Sequence, residues 1–77
     1  MKLTEAVGKR LKELLAERNI TQYRLSKKGG IPRPTVLTVV NAKNKTVNLD
    51  TVYQIAATLD MGLKEFFDSP LFDDLED

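Results

Sequence analysis

Apolar residues recur along the chain with helical spacing. Over residues 4–19, Val7, Leu11, Leu14 and Leu15 fall at i, i+4, i+7 and i+8 with Lys and Glu between them. That is one stripe of an amphipathic helix. After Asn19-Ile20, Thr21 is placed to cap a second helix over residues 22–28, which Gly29-Gly30 must stop. Ile31-Pro32-Arg33-Pro34 reads as the turn into a third helix, because proline is tolerated in a first helical turn. The spacing Val36, Val39, Val40 carries that helix to about Asn41, although its β-branched residues make a strand the local competitor. Residues 42–47 are polar and aperiodic. Asn48 then offers a cap for a fourth helix in which Leu49, Val52, Ile55, Ala56 and Leu59 share a face. Asp60-Met61-Gly62 breaks it, and residues 63–67 form a last short helix whose Phe66 or Phe67 closes the core.

The pattern is therefore all-α, with five helices in one domain over residues 1–68 and an acidic tail over residues 69–77 that carries Leu71, Phe72 and Leu75. That tail is either a frayed end or a docking segment. Seventy-seven residues bury only about 60% of their unfolded surface, which leaves one modest core and no deep active-site cavity. The absence of Cys and His removes the usual zinc ligands, any disulfide and the commonest general base. No metal, cofactor or small-molecule ligand is expected. Asp73-Asp74 is the best candidate for acid chemistry, but an exposed acidic tail gives no reason for a perturbed carboxyl, so an enzyme is not expected either. No stretch approaches the roughly 20 apolar residues of a membrane span and the N-terminus has no apolar leader, so the expected location is the cytoplasm.

Charge changes the picture once it is divided along the chain. Residues 1–45 hold eleven Lys and Arg against three Glu, a net +8. Residues 46–77 hold Lys64 against eight Asp and Glu, a net −7. A basic half of this kind is attracted to a polyanion.

The informative constellation runs from Thr21-Gln22 through Leu25-Ser26 and Gly30-Ile31 to Val36, Val39 and Asn41: a short helix, a tight turn and a second short helix. Its spacing turns Leu25, Ile31, Val36 and Val39 inward, while the small Ser26 lets the helices approach. This segment resembles the helix-turn-helix of the Cro/CI type, the XRE family of transcriptional regulators, and the resemblance extends over roughly residues 4–67. Asn48 to Leu59, followed by Met61-Gly62-Leu63 and Phe66, is similar to that family's fourth and fifth helices.

The resemblance implies a phage-repressor-like DNA-binding domain, bacterial or phage-encoded, whose helix 2 crosses the backbone of double-stranded DNA while helix 3 enters the major groove. Gln22 matches the family's phosphate-contacting glutamine beside the cap Thr21, and Tyr23 and Arg24 are placed for further backbone contacts. On helix 3, Arg33, Pro34, Leu37, Thr38 and Asn41 point outward. Arg33 sits where the family places a base-reading side chain, and Arg donates two bonds to guanine. Pro34, Leu37 and Thr38 complete the expected base-reading set, Pro34 and Leu37 by apolar contact to a thymine methyl group and Thr38 at a thymine methyl group or a phosphate. Thr35 and Asn41 join the phosphate set with the loop residues Lys43, Asn44 and Lys45. The expected product is a sequence-specific regulator, a repressor, binding as a homodimer, with Leu71, Phe72 and Leu75 or Tyr53 as its dimer patch unless the tail folds onto its own core. The alternative on the same scaffold is a protein-interaction module, an antitoxin-like or anti-repressor partner.

Three positions depart from the family pattern. Ala42 stands where a helix-ending Gly is usual, which predicts a looser turn and a displaced Lys43. Leu15 and Val40 replace an ion pair with an apolar contact. Arg33 lies between two prolines, and the residue before proline avoids the α region, which predicts a late start of helix 3 that carries Arg33 off the groove.

Overall fold

The heptad-like stripe at positions 7, 11, 14 and 15 closes into helix α1, Leu3–Arg18, with the Glu5 carboxylate accepting the Lys2 amide at 2.8 Å across its first turn. The computed structural model describes residues 1–76. Among them are four further helices, α2 (Gln22–Gly29), α3 (Arg33–Asn41), α4 (Leu49–Thr58) and α5 (Leu63–Phe66), then a 3-10 turn, Pro70–Phe72, and no strand. Thr21 and Asn48 cap as expected: Thr21 Oγ1 accepts the Arg24 amide at 3.1 Å and Asn48 Oδ1 accepts the Asp50 amide at 2.8 Å.

Four of the helices stop in the same way. Asn19, Gly30, Ala42 and Asp60 adopt the left-handed conformation, with φ between 51° and 64°. The amide one residue further on reaches back to the carbonyl five residues earlier, as in Ile20 to Leu15, Ile31 to Ser26, Lys43 to Thr38 and Met61 to Ala56. Ala42 therefore corrects the expected looser turn. It takes φ 51°, ψ 42° without glycine, the turn stays sharp, and the Lys43 amide is fixed on Thr38.

Helix α3 also corrects an expectation, because it does not start late. Pro32 is its cap and Pro34 its second residue, so the missing proline N–H falls where no intrahelical partner is required, and the Pro32 carbonyl accepts from Thr35 and Val36. Arg33 is the first residue of the helix. The valines that made a strand plausible are held helical by burial: Val36, Val39 and Val40 all enter the core.

One apolar cluster joins all five helices. Leu15 and Val40 are both in it, as are Leu25, Ile31 and Phe66. Leu49 is not on the buried face of α4 as the spacing implied. At the first position of that helix it is 60% exposed, and Met61, beyond the helix end, fills the core instead. Neither a frayed end nor a free docking segment describes residues 69–76. Ser69 caps the 3-10 turn, Phe72 packs edge-on against Phe67 with ring centres 5.0 Å apart, and the Glu76 amide donates to the Met1 carbonyl at 3.2 Å.

Two arginines of α1 close the far side of the bundle. Arg10 Nε donates to the Phe66 carbonyl at 2.6 Å and its Nη2 to Glu65 at 2.9 Å, while Arg18 donates to the Leu59 carbonyl. Each cation sits at the negative end of a helix, where it satisfies carbonyls left without intrahelical partners.

Candidate nucleic-acid interface

The turn between α2 and α3 is fixed by the small polar residue that the spacing selected. Ser26 does more than make room: its hydroxyl donates to the Ile31 carbonyl at 2.5 Å, tying the end of α2 to the start of the α3 segment. Leu25, Ile31, Val36 and Val39 lie buried beneath, so the mutual angle of the two helices is set by the core. Helix α1 presses on α3 from behind through Gly8, where an added Cβ would stand 2.8 Å from the carbonyl oxygens of both Val39 and Val40.

On the outer side, Arg33, Leu37 and Asn41 are exposed at i, i+4 and i+8, one ridge along α3, with Pro34 exposed beside it. Thr35 and Thr38 are half-buried and turn away from that ridge. They line a cleft of about 250 Å³ with Pro34, Asn44, Thr46 and Asn48, between α3 and the loop that leads to α4. The Thr38 hydroxyl already donates to the Pro34 carbonyl at 2.9 Å. The expected base-reading set thus divides into a ridge, Arg33 with Pro34 and Leu37, and a cleft residue, Thr38.

At the start of α2, Thr21 supplies its cap oxygen to the Arg24 amide, and Leu25 donates to the Thr21 carbonyl. The amides of Gln22 and Tyr23 open the helix, where no intrahelical acceptor precedes them. Gln22 is half-buried, and Tyr23 and Arg24 are exposed. The Tyr23 ring carries two cations, with Arg33 Cζ 5.4 Å and Lys27 Nζ 5.6 Å from its centre. Arg33 is thereby brought beside the opening of α2. Lys43, Asn44 and Lys45 are exposed in the loop after α3, at the other end of the ridge.

Sequence reasoning missed Lys27 as a member of this surface, and Lys28 as its exposed neighbour on α2. Their signal is a run rather than a motif: residues 19–49 contain Arg24, Lys27, Lys28, Arg33, Lys43 and Lys45 and no Asp or Glu. Thr46 and Asn48 of the cleft carry no such signal, because they come from a separate segment that only the fold brings against Thr35 and Thr38. Among the described residues, no group of His, Cys, Asp or Glu is arranged to hold a metal, and no helix is long and apolar enough to cross a membrane.

Residues 10–70 match the sequence model described as the Cro/C1-type HTH DNA-binding domain. The fold is similar to the crystal structure of the prophage Lp1 protein 11, with a TM-score of 0.83 and 28% sequence identity over 97% of this chain and 100% of that one. No curated protein matches the chain.

Proposed function

Since the chain belongs to the Cro/C1-type helix-turn-helix family, a family of DNA-binding domains rather than a class of enzymes, we propose that it is a sequence-specific regulator of transcription, a repressor, that lays α3 in the major groove of double-stranded DNA. The observation that carries this reading is the ridge Arg33, Leu37, Asn41. It is exposed on a short helix and flanked at both ends by cations, within a 31-residue stretch free of carboxylates.

In this reading Arg33 donates to guanine O6 and N7, while Pro34 and Leu37 meet the methyl groups of neighbouring thymines. Thr38, with its hydroxyl engaged, offers its methyl group from the edge of the cleft. The open amides of Gln22 and Tyr23 take one backbone phosphate, with the Gln22 side chain and Arg24 beside it and Thr21 as the cap that fixes them. Lys43, Asn44 and Lys45, with Asn41, take phosphates at the opposite end of α3, and Thr35 takes one from the cleft that it lines with Asn44. The regulator acts in the cytoplasm as a homodimer on two half-sites about 34 Å apart, one turn of the duplex.

A second reading has one specific observation in its favour. Leu49 and Tyr53 are 60% and 55% exposed, one turn apart on α4. An apolar pair of this kind suits contact with protein, either a second copy or the partner of an antitoxin-like or anti-repressor module. The two readings separate at α3. If Arg33 reads a base, Arg33→Ala costs about 1–3 kcal/mol on the preferred site and flattens preference at one base pair. Equal weakening on every sequence would remove Arg33 from the reading surface. If Lys43 and Lys45 bind phosphates, replacing both by Ala weakens all duplexes alike and reduces the salt slope by about two units. An unchanged slope excludes them.

A further inference from the structure

The geometry points to Tyr23 as a positioning residue for specificity: its ring holds the Arg33 guanidinium in the orientation from which Arg33 reads a base. The inference rests on the base-reading role given to Arg33 above and deepens it.

Arg33 is the first residue of α3, and its backbone is fixed from both sides. Pro32 locks the cap at φ −55°, Pro34 locks the next residue, and Ser26 ties the preceding turn through the Ile31 carbonyl. Nothing in that frame orders the side chain. Arginine has several rotatable bonds, and among the described residues no carboxylate pairs with it. A free, exposed guanidinium would have to lose that freedom on meeting DNA, which weakens and blurs discrimination.

The Tyr23 ring supplies the missing constraint. It stands at the second position of α2, with Arg33 Cζ over the ring at 5.4 Å from its centre. The contact uses the electron-rich face of the ring and the positive charge of the guanidinium, so none of the five N–H donors is consumed. A carboxylate in the same place would order Arg33 as well, but it would occupy the fork that guanine needs. The ring thus orders the side chain and leaves it unsatisfied.

Lys27, one helical turn beyond Tyr23 on α2, lies over the same ring at 5.6 Å. Two cations therefore share one neutral ring, and the intervening sequence offers no anion. Mutual repulsion of the two charges is relieved by an external polyanion, which ties the ordering of Arg33 to the approach of a phosphate backbone. Tyr23 is 49% exposed and outside the core cluster, so its replacement leaves the fold intact.

This assignment differs from a phosphate contact through the Tyr23 hydroxyl, and the difference is measurable. The experiment is selection of the full chain from a random duplex library at fixed salt, followed by titration of the enriched duplex and its single-base variants. It uses the wild type, Tyr23→Phe, Tyr23→Leu, Arg33→Ala and the double variant Tyr23→Leu/Arg33→Ala, with helical content and thermal midpoint recorded for each. Tyr23→Phe keeps the ring and is expected to keep the wild-type preference. Tyr23→Leu is expected to lose about two- to fivefold in discrimination at the base pair that Arg33→Ala flattens, with preference elsewhere unchanged. Adding Tyr23→Leu to Arg33→Ala is expected to change nothing further at that base pair.

Three results overturn the positioning role while leaving Arg33 as a reader: Tyr23→Phe behaving like Tyr23→Leu, Tyr23→Leu weakening all duplexes uniformly, or an equal loss in the Arg33→Ala background. If Arg33→Ala itself leaves every base preference intact, or nothing is enriched, the base-reading assignment fails and the role of Tyr23 fails with it.

Discussion

At Ala42 the backbone sits at φ 51°, ψ 42°, a conformation that costs an L residue about 1–2 kcal/mol and glycine almost nothing. Residues after α3 depend on it, because the Lys43 amide reaches Thr38 only when position 42 turns left-handed. Ala42→Gly is expected to raise stability by about 1 kcal/mol, the relief of strain less the added freedom of glycine in the unfolded chain, read as a higher urea midpoint with an unchanged slope. A lower midpoint would mean that the turn is not strained in the native state. The residue scale is also where the sequence was least legible. The prolines around Arg33 argue for a delayed helix if only the pre-proline rule is applied. They argue for an immediate start once it is recognised that the first turn needs no donors from its own residues. Likewise, nothing in the order of residues indicates that Tyr23 meets a cation ten positions on. That contact is a product of how α2 and α3 are docked, whereas the bond from the Thr38 hydroxyl to the Pro34 carbonyl is local, one turn back within α3.

Between elements, α1 and α3 cross closely at Gly8. A methyl group there would lie 2.8 Å from two carbonyl oxygens of α3, and these are backbone atoms that cannot rotate away. Gly8→Ala gains up to about 1 kcal/mol of helix propensity, but the forced separation costs about 1–3 kcal/mol. The net expectation is a loss of about 1–2 kcal/mol in chemical denaturation, accompanied by weaker DNA binding because the helix displaced is the one that carries Arg33. A stabilised Gly8→Ala protein would show that the helices part without strain. Element order, caps and buried faces were readable from periodicity, since a 3.6-residue stripe and an Asx or Thr cap act within one segment. Leu49 was misread because spacing alone does not distinguish the first residue of a helix, which still points outward, from the stripe that follows it. Met61 was read as part of a helix break, yet it is buried, because the chain re-enters the core after the left-handed turn at Asp60.

Over the whole molecule, the fold sets apart two groups of cations within the basic half. Arg10 and Arg18 lie on the far side, closing the ends of α5 and α4 through carbonyls at Phe66, Glu65 and Leu59. Arg24, Lys27, Lys28, Arg33, Lys43 and Lys45 belong to the anion-free segment that contains α2, α3 and the loop after them. The sequence split of +8 and −7 counts both groups alike, because charge counting cannot tell a cation that serves the fold from one that faces solvent. The acidic end is also less detached than its composition implied, since Phe72 and Glu76 tie it to the core and to the first residue. The assignment with most resting on it is that this surface reads sequence instead of only attracting DNA. Selection of the purified full chain from a random duplex library, with the enriched site then titrated across salt concentrations, addresses that directly. The expected result is a short site, repeated as two half-sites about one helical turn apart, containing a guanine whose importance disappears with Arg33→Ala, and bound with a steep salt slope. Equal, salt-labile binding to all duplexes, with no site enriched, would contradict it.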